Sequence, residues 1–246
     1  SQSLIDENKA LIEGFDSLPT KPLPSLSEAI THATSEVDLI EGMLAGNSGL
    51  VVGEAHGHTM PKQFLIDNMA TLKEKGVTTI YLEHLIYESH QQLLDEYLQA
   101  GSAELMPIEL ELYLKKIDKE FNLEGTGTFY HLVKAAKENG IKIIAVDTAA
   151  SYSIVDKHIA DLSSSQVTVD RMKAMNAAMV KRFEDHPPEN GGKFVAFVGS
   201  AHASNLYYKD RKQEFDDNRH VSGISQLLGC PNLVIIEPNE LEAALI

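Results

Sequence analysis

The segment LVVGEAHGH at residues 50–58 indicates the fold class, because a short, β-branched apolar run ends there in a polar turn with two glycines. Runs of the same type occupy residues 79–83, 142–147, 194–199 and 233–237. Helix-length amphipathic segments separate them, and this alternation is typical of parallel strands joined by crossover helices. The sequence therefore predicts an α/β fold with a mainly parallel central sheet of about five strands and helices on both faces.

The rest of the chain fits one domain around this sheet. No linker, charge block or low-complexity run divides the 246 residues, which predicts a single α/β domain over residues 1–246. Two helical stretches form an N-terminal annex over residues 1–47, and residues 48–246 form the core. Further helices are predicted around 64–72, 130–136 and 168–184, and Ser222 is the predicted N-cap of a last helix through Leu228. An insertion of two helices over 88–120 is placed to cap a pocket.

The composition argues against nucleic-acid binding and against a membrane-spanning role. Net charge is −15, and no basic stripe with interleaved aromatic residues is present, which argues against nucleic-acid binding. No apolar run approaches the roughly 20 residues needed to span a bilayer, so we expect a soluble protein.

The only cysteine, Cys230, suits a reducing compartment and has the features of a packing residue. Because the chain begins Ser-Gln-Ser, it is expected to be a mature fragment or an excised part of a longer protein.

The predicted strands end in acidic and imidazole side chains. In open parallel sheets, ligands bind outside the carboxyl ends of the strands, so these groups are expected to converge. They exceed what helix capping requires, and they supply a general base, a general acid or metal ligands. The catalytic candidates are Glu54 and His56 after the first strand, Glu83 at the end of the second, and His202 after the fourth. His58, His84 and Asp147 are candidate supporting residues.

The predicted helix over residues 168–184 carries a polar residue on its apolar face. Asn176 lies among Met172, Met175 and Met179, and Arg171 is one position off that stripe. The methionines are most simply packing residues. Asn176 and Arg171 are therefore supporting candidates, with a hydrogen bond to the site and a local buried contact both left open.

Three motifs carry a family resemblance. The segments VVGEAHG (51–57), YLEH (81–84) and FVGSAHA (197–203) resemble, in this order, the superfamily of erythromycin esterases, ChaN-like haem-uptake proteins and Tiki/TraB proteases. RMKAMNAAMVKRF (171–183) is similar to the helix bearing Arg and Asn in that superfamily. Related domains occur in large bacterial toxins similar to the Pasteurella toxin. One residue separates Glu54 from His56, where the esterase branch has two.

The resemblance implies a site at Glu54, His56, Glu83 and His202 but not one chemistry, since fold alone does not choose the reaction. The esterase branch uses a histidine base without metal, the Tiki branch needs metal, and the ChaN branch is linked to haem. The first hypothesis is a hydrolase of ester, lactone or peptide bonds, in which His56 or His202 deprotonates water. In its metal-dependent form, His56, Glu83 and His202 bind zinc or manganese.

Two other interpretations stay open. One is a ligand-binding module without turnover, for which Tyr207 and Tyr208 make haem a candidate ligand. The other is a structural domain in which the polar groups only pair with one another. The expected partners are a small-molecule or peptide substrate and the remainder of a larger multidomain toxin, secreted from a bacterium and acting in the host cytosol.

Overall fold

The computed structural model describes residues 2–24, 28–99, 101, 105–152, 165–204, 206–209 and 215–237. Its strands are β1 (Gly49–Glu54), β2 (Val77–Ile86), β3 (Lys142–Asp147), β4 (Lys193–Gly199), β5 (Leu206–Lys209), β6 (Phe215–Val221) and β7 (Asn232–Val234). Five strands form one sheet in the order β3-β2-β4-β1-β7, and every neighbouring pair is parallel. β5 and β6 pair separately as an antiparallel hairpin.

Helices connect and cover the strands. They are α1 (Gln2–Asp16), α2 (Glu28–Thr31), α3 (Glu36–Leu44), α4 (Met60–Asp67), α5 (Met69–Glu74), α6 (Tyr87–Leu98), α7 (Ile108–Glu120), α8 (Phe129–Glu138), α9 (Ser165–Asp185), α10 (Ser200–Ala203) and α11 (Ile224–Leu228). A 3₁₀ turn spans Glu189–Gly191. Among the helices of these described ranges, none combines the length and the apolar character of a membrane-spanning segment.

The two faces of the sheet bury separate apolar clusters. Successive strand side chains point to opposite faces, so Val52 and Leu82 pack with α3 to α8, whereas Val51 and Tyr81 pack with α1, α9 and α11. The N-terminal annex is part of this second cluster through Phe15 of α1. The predicted α/β fold, with a five-stranded sheet and helices on both faces, is confirmed.

Several boundaries differ from the prediction. The helix expected around 64–72 is divided at Asn68, which leaves the helical conformation and donates its side-chain amide to the carbonyl of Phe64. The second N-terminal helical stretch is likewise two helices, α2 and α3. The fifth sheet strand is only Asn232–Val234, and Gly223, not Ser222, precedes α11. The β5–β6 hairpin was not predicted.

Candidate active site

The strand order places the predicted site residues side by side. β4 lies between β1 and β2, and the register pairs Glu54 of β1 with Gly199 of β4. On the other side of β2, Ile86 pairs with Asp147 of β3. The carboxyl ends of four strands therefore meet at one edge, as expected from the sequence.

Glu54 and His56 form a hydrogen-bonded pair where β1 ends. Glu54 Oε1 lies 3.0 Å from Nδ1 of His56. The carboxylate is almost completely buried, with 1% of its side-chain surface exposed, whereas 33% of the imidazole is exposed. A buried carboxylate thus orients a histidine that remains accessible to water.

Glu83 and His202 form a second pair, deeper in the protein. Glu83 Oε1 lies 3.3 Å from Nε2 of His202, and both side chains are buried. On its other side, His202 Nδ1 is 2.7 Å from Oδ1 of Asn176 in α9. Asn176 donates its amide nitrogen to the carbonyl of Ser222, which fixes the orientation of the amide. Both imidazole nitrogens of His202 are therefore engaged.

His84 follows Glu83 directly in the chain and contacts His56 of the other pair. Its backbone has a φ of 72°, a left-handed conformation that is uncommon outside glycine. Its Nε2 lies 3.0 Å from Nδ1 of His56, and its Nδ1 lies 3.2 Å from the hydroxyl of Tyr152. The backbone is held on both sides, because Asp147 accepts a hydrogen bond from the amide and Tyr113 donates one to the carbonyl.

Lys62 and Gly199 also contact the site residues, and sequence reasoning did not identify Lys62. Lys62, near the start of α4, is fully buried, and its ammonium group contacts the second carboxylate oxygen of Glu54. Gly199 donates its amide to Glu83, and a Cβ at this position would lie 2.8 Å from Cε1 of His56. A lysine in an amphipathic helix usually indicates a solvent-exposed position, so no local pattern distinguishes Lys62.

The pKa values of the two histidines are shifted in opposite directions. Burial lowers the pKa of His84 to about 4 and outweighs the opposing effect of Glu83. Burial also acts to lower the pKa of His56, but the hydrogen bond to Glu54 and the charges of Glu83 and Glu54 outweigh it, so this pKa is raised. His84 is thus neutral near neutral pH, while the pKa of His56 lies above its ordinary value.

The two remaining buried carboxyl groups are also shifted. Burial would raise the pKa of Glu83, but the neighbouring histidines, His202 first, hold it far below its usual range. Burial, reinforced by the charge of Glu83, raises the pKa of Asp147 well above its usual range. Folding therefore favours the ionised form of Glu83 and the protonated form of Asp147.

Two sets of described residues bring three metal-ligating atoms within 4.8 Å of one another. They are Glu54, His56 and His84, and Glu83, His84 and Asp147. The set expected from the sequence, His56, Glu83 and His202, is not one of them and stays a prediction. Two imidazoles with one carboxylate are a common zinc ligand set, so the donor types of the first set fit a divalent ion.

The other predicted residues are more peripheral. His58 contributes its carbonyl, which accepts a hydrogen bond from Lys62. Arg171 is exposed on α9, and its charge acts on Asp147 without a direct ion pair among the described residues. Tyr207 and Tyr208, on which the haem hypothesis rests, lie in β5, but their side chains are outside the described part of the structure.

Comparisons with known proteins associate this fold with bacterial toxins. No protein-family model matches the chain. The chain is 29% identical over 228 residues to a multifunctional-autoprocessing repeats-in-toxin of Vibrio vulnificus, a match that covers 92% of this chain and 4% of the toxin. The predicted similarity to a part of a large multidomain toxin is confirmed, whereas the match to the esterase, ChaN and Tiki superfamily stays a prediction.

Two solved structures of bacterial toxin domains are also similar to this chain. RRSP, a MARTX toxin effector domain from Vibrio vulnificus CMCP6, is 27% identical with a TM-score of 0.71, and the match covers 97% of this chain and 46% of that chain. The C-terminal region of Pasteurella multocida toxin is 21% identical with a TM-score of 0.68, over 96% of this chain and 30% of that chain. The latter likeness shows a shared fold alone. The chain spans less than half the length of either structure.

Proposed function

We propose that this chain is a hydrolase domain of the toxin-effector type, in which His56, oriented by Glu54, is the general base that activates water. The observation that supports this most directly is the contact between a partly exposed imidazole and a buried carboxylate through Nδ1. Nε2 of His56 is then the nitrogen available to water, since no described residue forms a hydrogen bond with it. The same division of roles underlies histidine-assisted hydrolysis on unrelated folds.

The geometry favours His56 over His202 as the base. A general base needs an unengaged nitrogen within reach of water. His202 is buried, with one nitrogen facing Asn176 and the other facing Glu83. We assign His202 to the fixed surroundings of the site, where it keeps Glu83 charged and in place.

In the proposed reaction, Nε2 of His56 accepts a proton from water as the water oxygen attacks an ester or amide carbonyl. The positive charge that forms on the imidazole is stabilised by Glu54 in direct contact and by Glu83 nearby. His56 then returns the proton to the departing alcohol or amine, so that the base is regenerated. Either a small-molecule ester or lactone or a peptide fits this chemistry.

The similarity to RRSP, a toxin effector domain, supports the effector role, and the motif resemblance to the esterase superfamily supports hydrolysis. We further propose that the domain belongs to a larger secreted toxin and acts in the host cytosol.

Assays against nitrophenyl esters, lactones and fluorogenic peptides test the hydrolase proposal. Replacing a general base costs about 100- to 10,000-fold in rate, so we expect His56→Gln to lose that much turnover. The control is His32→Gln, because His32 is an exposed histidine on the turn after α2. Turnover by His56→Gln at the rate of the control would refute His56 as the base.

A metal-dependent hydrolase is the second candidate, favoured by the set Glu54, His56 and His84. A divalent ion held by these residues would supply a bound water of lowered pKa. The Lys62 ammonium group against Glu54 opposes a second cation at that carboxylate. We therefore expect elemental analysis of the dialysed domain to find no stoichiometric zinc or manganese, and turnover to be insensitive to chelators. Stoichiometric metal that is lost in His84→Ala would instead establish the metal-dependent form.

A further inference from the structure

Lys62 is the only lysine or arginine that directly contacts the carboxylate of Glu54 among the described residues. Its ammonium group has three N–H bonds, and the structure supplies three acceptors. They are the second carboxylate oxygen of Glu54, the carbonyl of His56 at 3.2 Å and the carbonyl of His58 at 2.9 Å. Every donor of this buried group is therefore used, which a charge in a protein interior requires.

The contacts of Lys62 join α4 to the end of β1 and to the turn between these two elements. Lys62 belongs to α4, whereas its acceptors lie at the end of β1 and in the turn that leads from β1 to α4. The side chain thus crosses back over the turn that carries His56. Its ammonium group also lies 4.7 Å from the ring centre of Phe129, so it has little room to move.

We propose that Lys62 is a positioning residue for the catalytic pair: it holds one oxygen of Glu54 and the backbone of the 56–58 turn, so that the other oxygen faces Nδ1 of His56. This inference rests on the proposed role of His56 as general base. It assigns to Lys62 no contact with the substrate or the reacting water.

A purely structural role for Lys62 predicts something different. If the lysine only neutralised a buried carboxylate, its removal would lower stability and leave the His56 ring as it is. If it positions the pair, its removal frees the Glu54 carboxylate to turn. The Nδ1–H form of His56 then loses one of its two acceptors and keeps only Nε2 of His84, so the Nε2–H form becomes more populated.

The test is nitrogen-15 NMR of the histidine rings, which reports the tautomer without any substrate. In the wild-type domain we expect His56 to carry its proton on Nδ1, and in Lys62→Met we expect a mixture of both forms. Lys193→Met is the matched control, because Lys193 also donates to two backbone carbonyls, those of Leu44 and Asn47, on α3 and the turn that follows it. This control should keep the wild-type His56 signals. An unchanged His56 tautomer in folded Lys62→Met would overturn the proposal.

A second measurement covers the case in which Lys62→Met does not fold. Exposed lysine ammonium protons exchange too quickly to be observed near neutral pH, whereas an ammonium group with all three donors engaged is protected. We expect a slowly exchanging Lys62 ammonium signal in the wild-type domain, and a fast-exchanging one would overturn the proposal. Because neither readout requires turnover, a failure here is distinct from a failure of the hydrolase proposal.

If turnover is found in the assays described above, kinetics add a third readout. A positioning role predicts that Lys62→Met lowers kcat with little change in KM, because the substrate does not touch the lysine. A change in KM alone would contradict it.

Discussion

Nε2 of His84 lies 3.0 Å from Nδ1 of His56, the same nitrogen that faces Glu54. Because His84 is neutral near neutral pH, its Nε2 is free to share the Nδ1 proton of His56 without adding a positive charge. The proton on His84 then resides on Nδ1, facing the Tyr152 hydroxyl. Nδ1 of His56 therefore faces a carboxylate and a neutral imidazole together.

Replacing Gly199 with alanine should damage the site selectively. An added Cβ would lie 2.8 Å from Cε1 of His56 and 3.3 Å from Oε2 of Glu83, closer than side-chain contacts normally allow. The imidazole must shift, and small displacements of a catalytic group cost about 100-fold in rate. We expect that loss of kcat in Gly199→Ala while circular dichroism shows a folded protein.

Gly57→Ala is the control for this substitution, because it lies in the turn that carries His56. A Cβ there meets nothing closer than the carbonyl of Phe121 at 3.6 Å, an ordinary contact. Equal loss of activity in both variants would show that the turn, and not the space beside His56, limits the reaction.

The pH dependence of turnover should report His56. A general base must be unprotonated, so kcat/KM rises with pH through the pKa of His56 in the free domain. Since that pKa is raised by Glu54 and Glu83 despite burial, we expect the midpoint above the ordinary value of 6.5. Rates measured between about pH 5 and pH 9 locate it. In Glu54→Gln the midpoint should move downward, and an unshifted midpoint would exclude the pair as its origin.

Asp147 should tolerate asparagine better than alanine. Burial and the charge of Glu83 raise its pKa well above the ordinary range, so folding favours the neutral acid, and an amide oxygen can still accept from the His84 amide. Asp147→Ala leaves that buried amide unsatisfied, which costs about 1–3 kcal/mol. Urea unfolding near neutral pH should show this loss for alanine and a much smaller one for asparagine.

Asp147→Asn should also change how the stability of the domain depends on pH. A raised pKa in the folded state means that folding favours the protonated acid. The wild-type domain therefore loses stability as pH rises through the folded pKa of Asp147, and Asp147→Asn should not show this loss. Equal stability losses for asparagine and alanine would mean that the negative charge of Asp147 is required.

The sequence predicts the sheet well because its strands are buried on both faces and appear as continuous apolar runs, as at Val51 and Val52. It also predicts which strand ends carry the polar groups. The β5–β6 hairpin escapes prediction, since FDDNRHV at 215–221 has neither an apolar run nor a clear alternation. Its polar composition resembles that of a loop.

The details of the site depend on packing that the sequence does not display. Nothing local shows that Lys62 points inward or that His84 adopts a positive φ. Both follow from contacts with residues distant in the chain or on other elements, such as Asp147 for His84 and Phe129 for Lys62. Which nitrogen of each histidine is engaged is likewise set by these partners.

The order β3-β2-β4-β1-β7 also determines when the candidate site can assemble during folding. β1 and β2 follow each other in sequence but are not neighbours, and β4 must insert between them before Gly199 meets Glu83 and His202 meets Asn176. A chain that is still incomplete, or threaded through a narrow passage in extended form, holds no assembled site. The candidate site therefore forms only once β4 has joined β1 and β2 in the sheet.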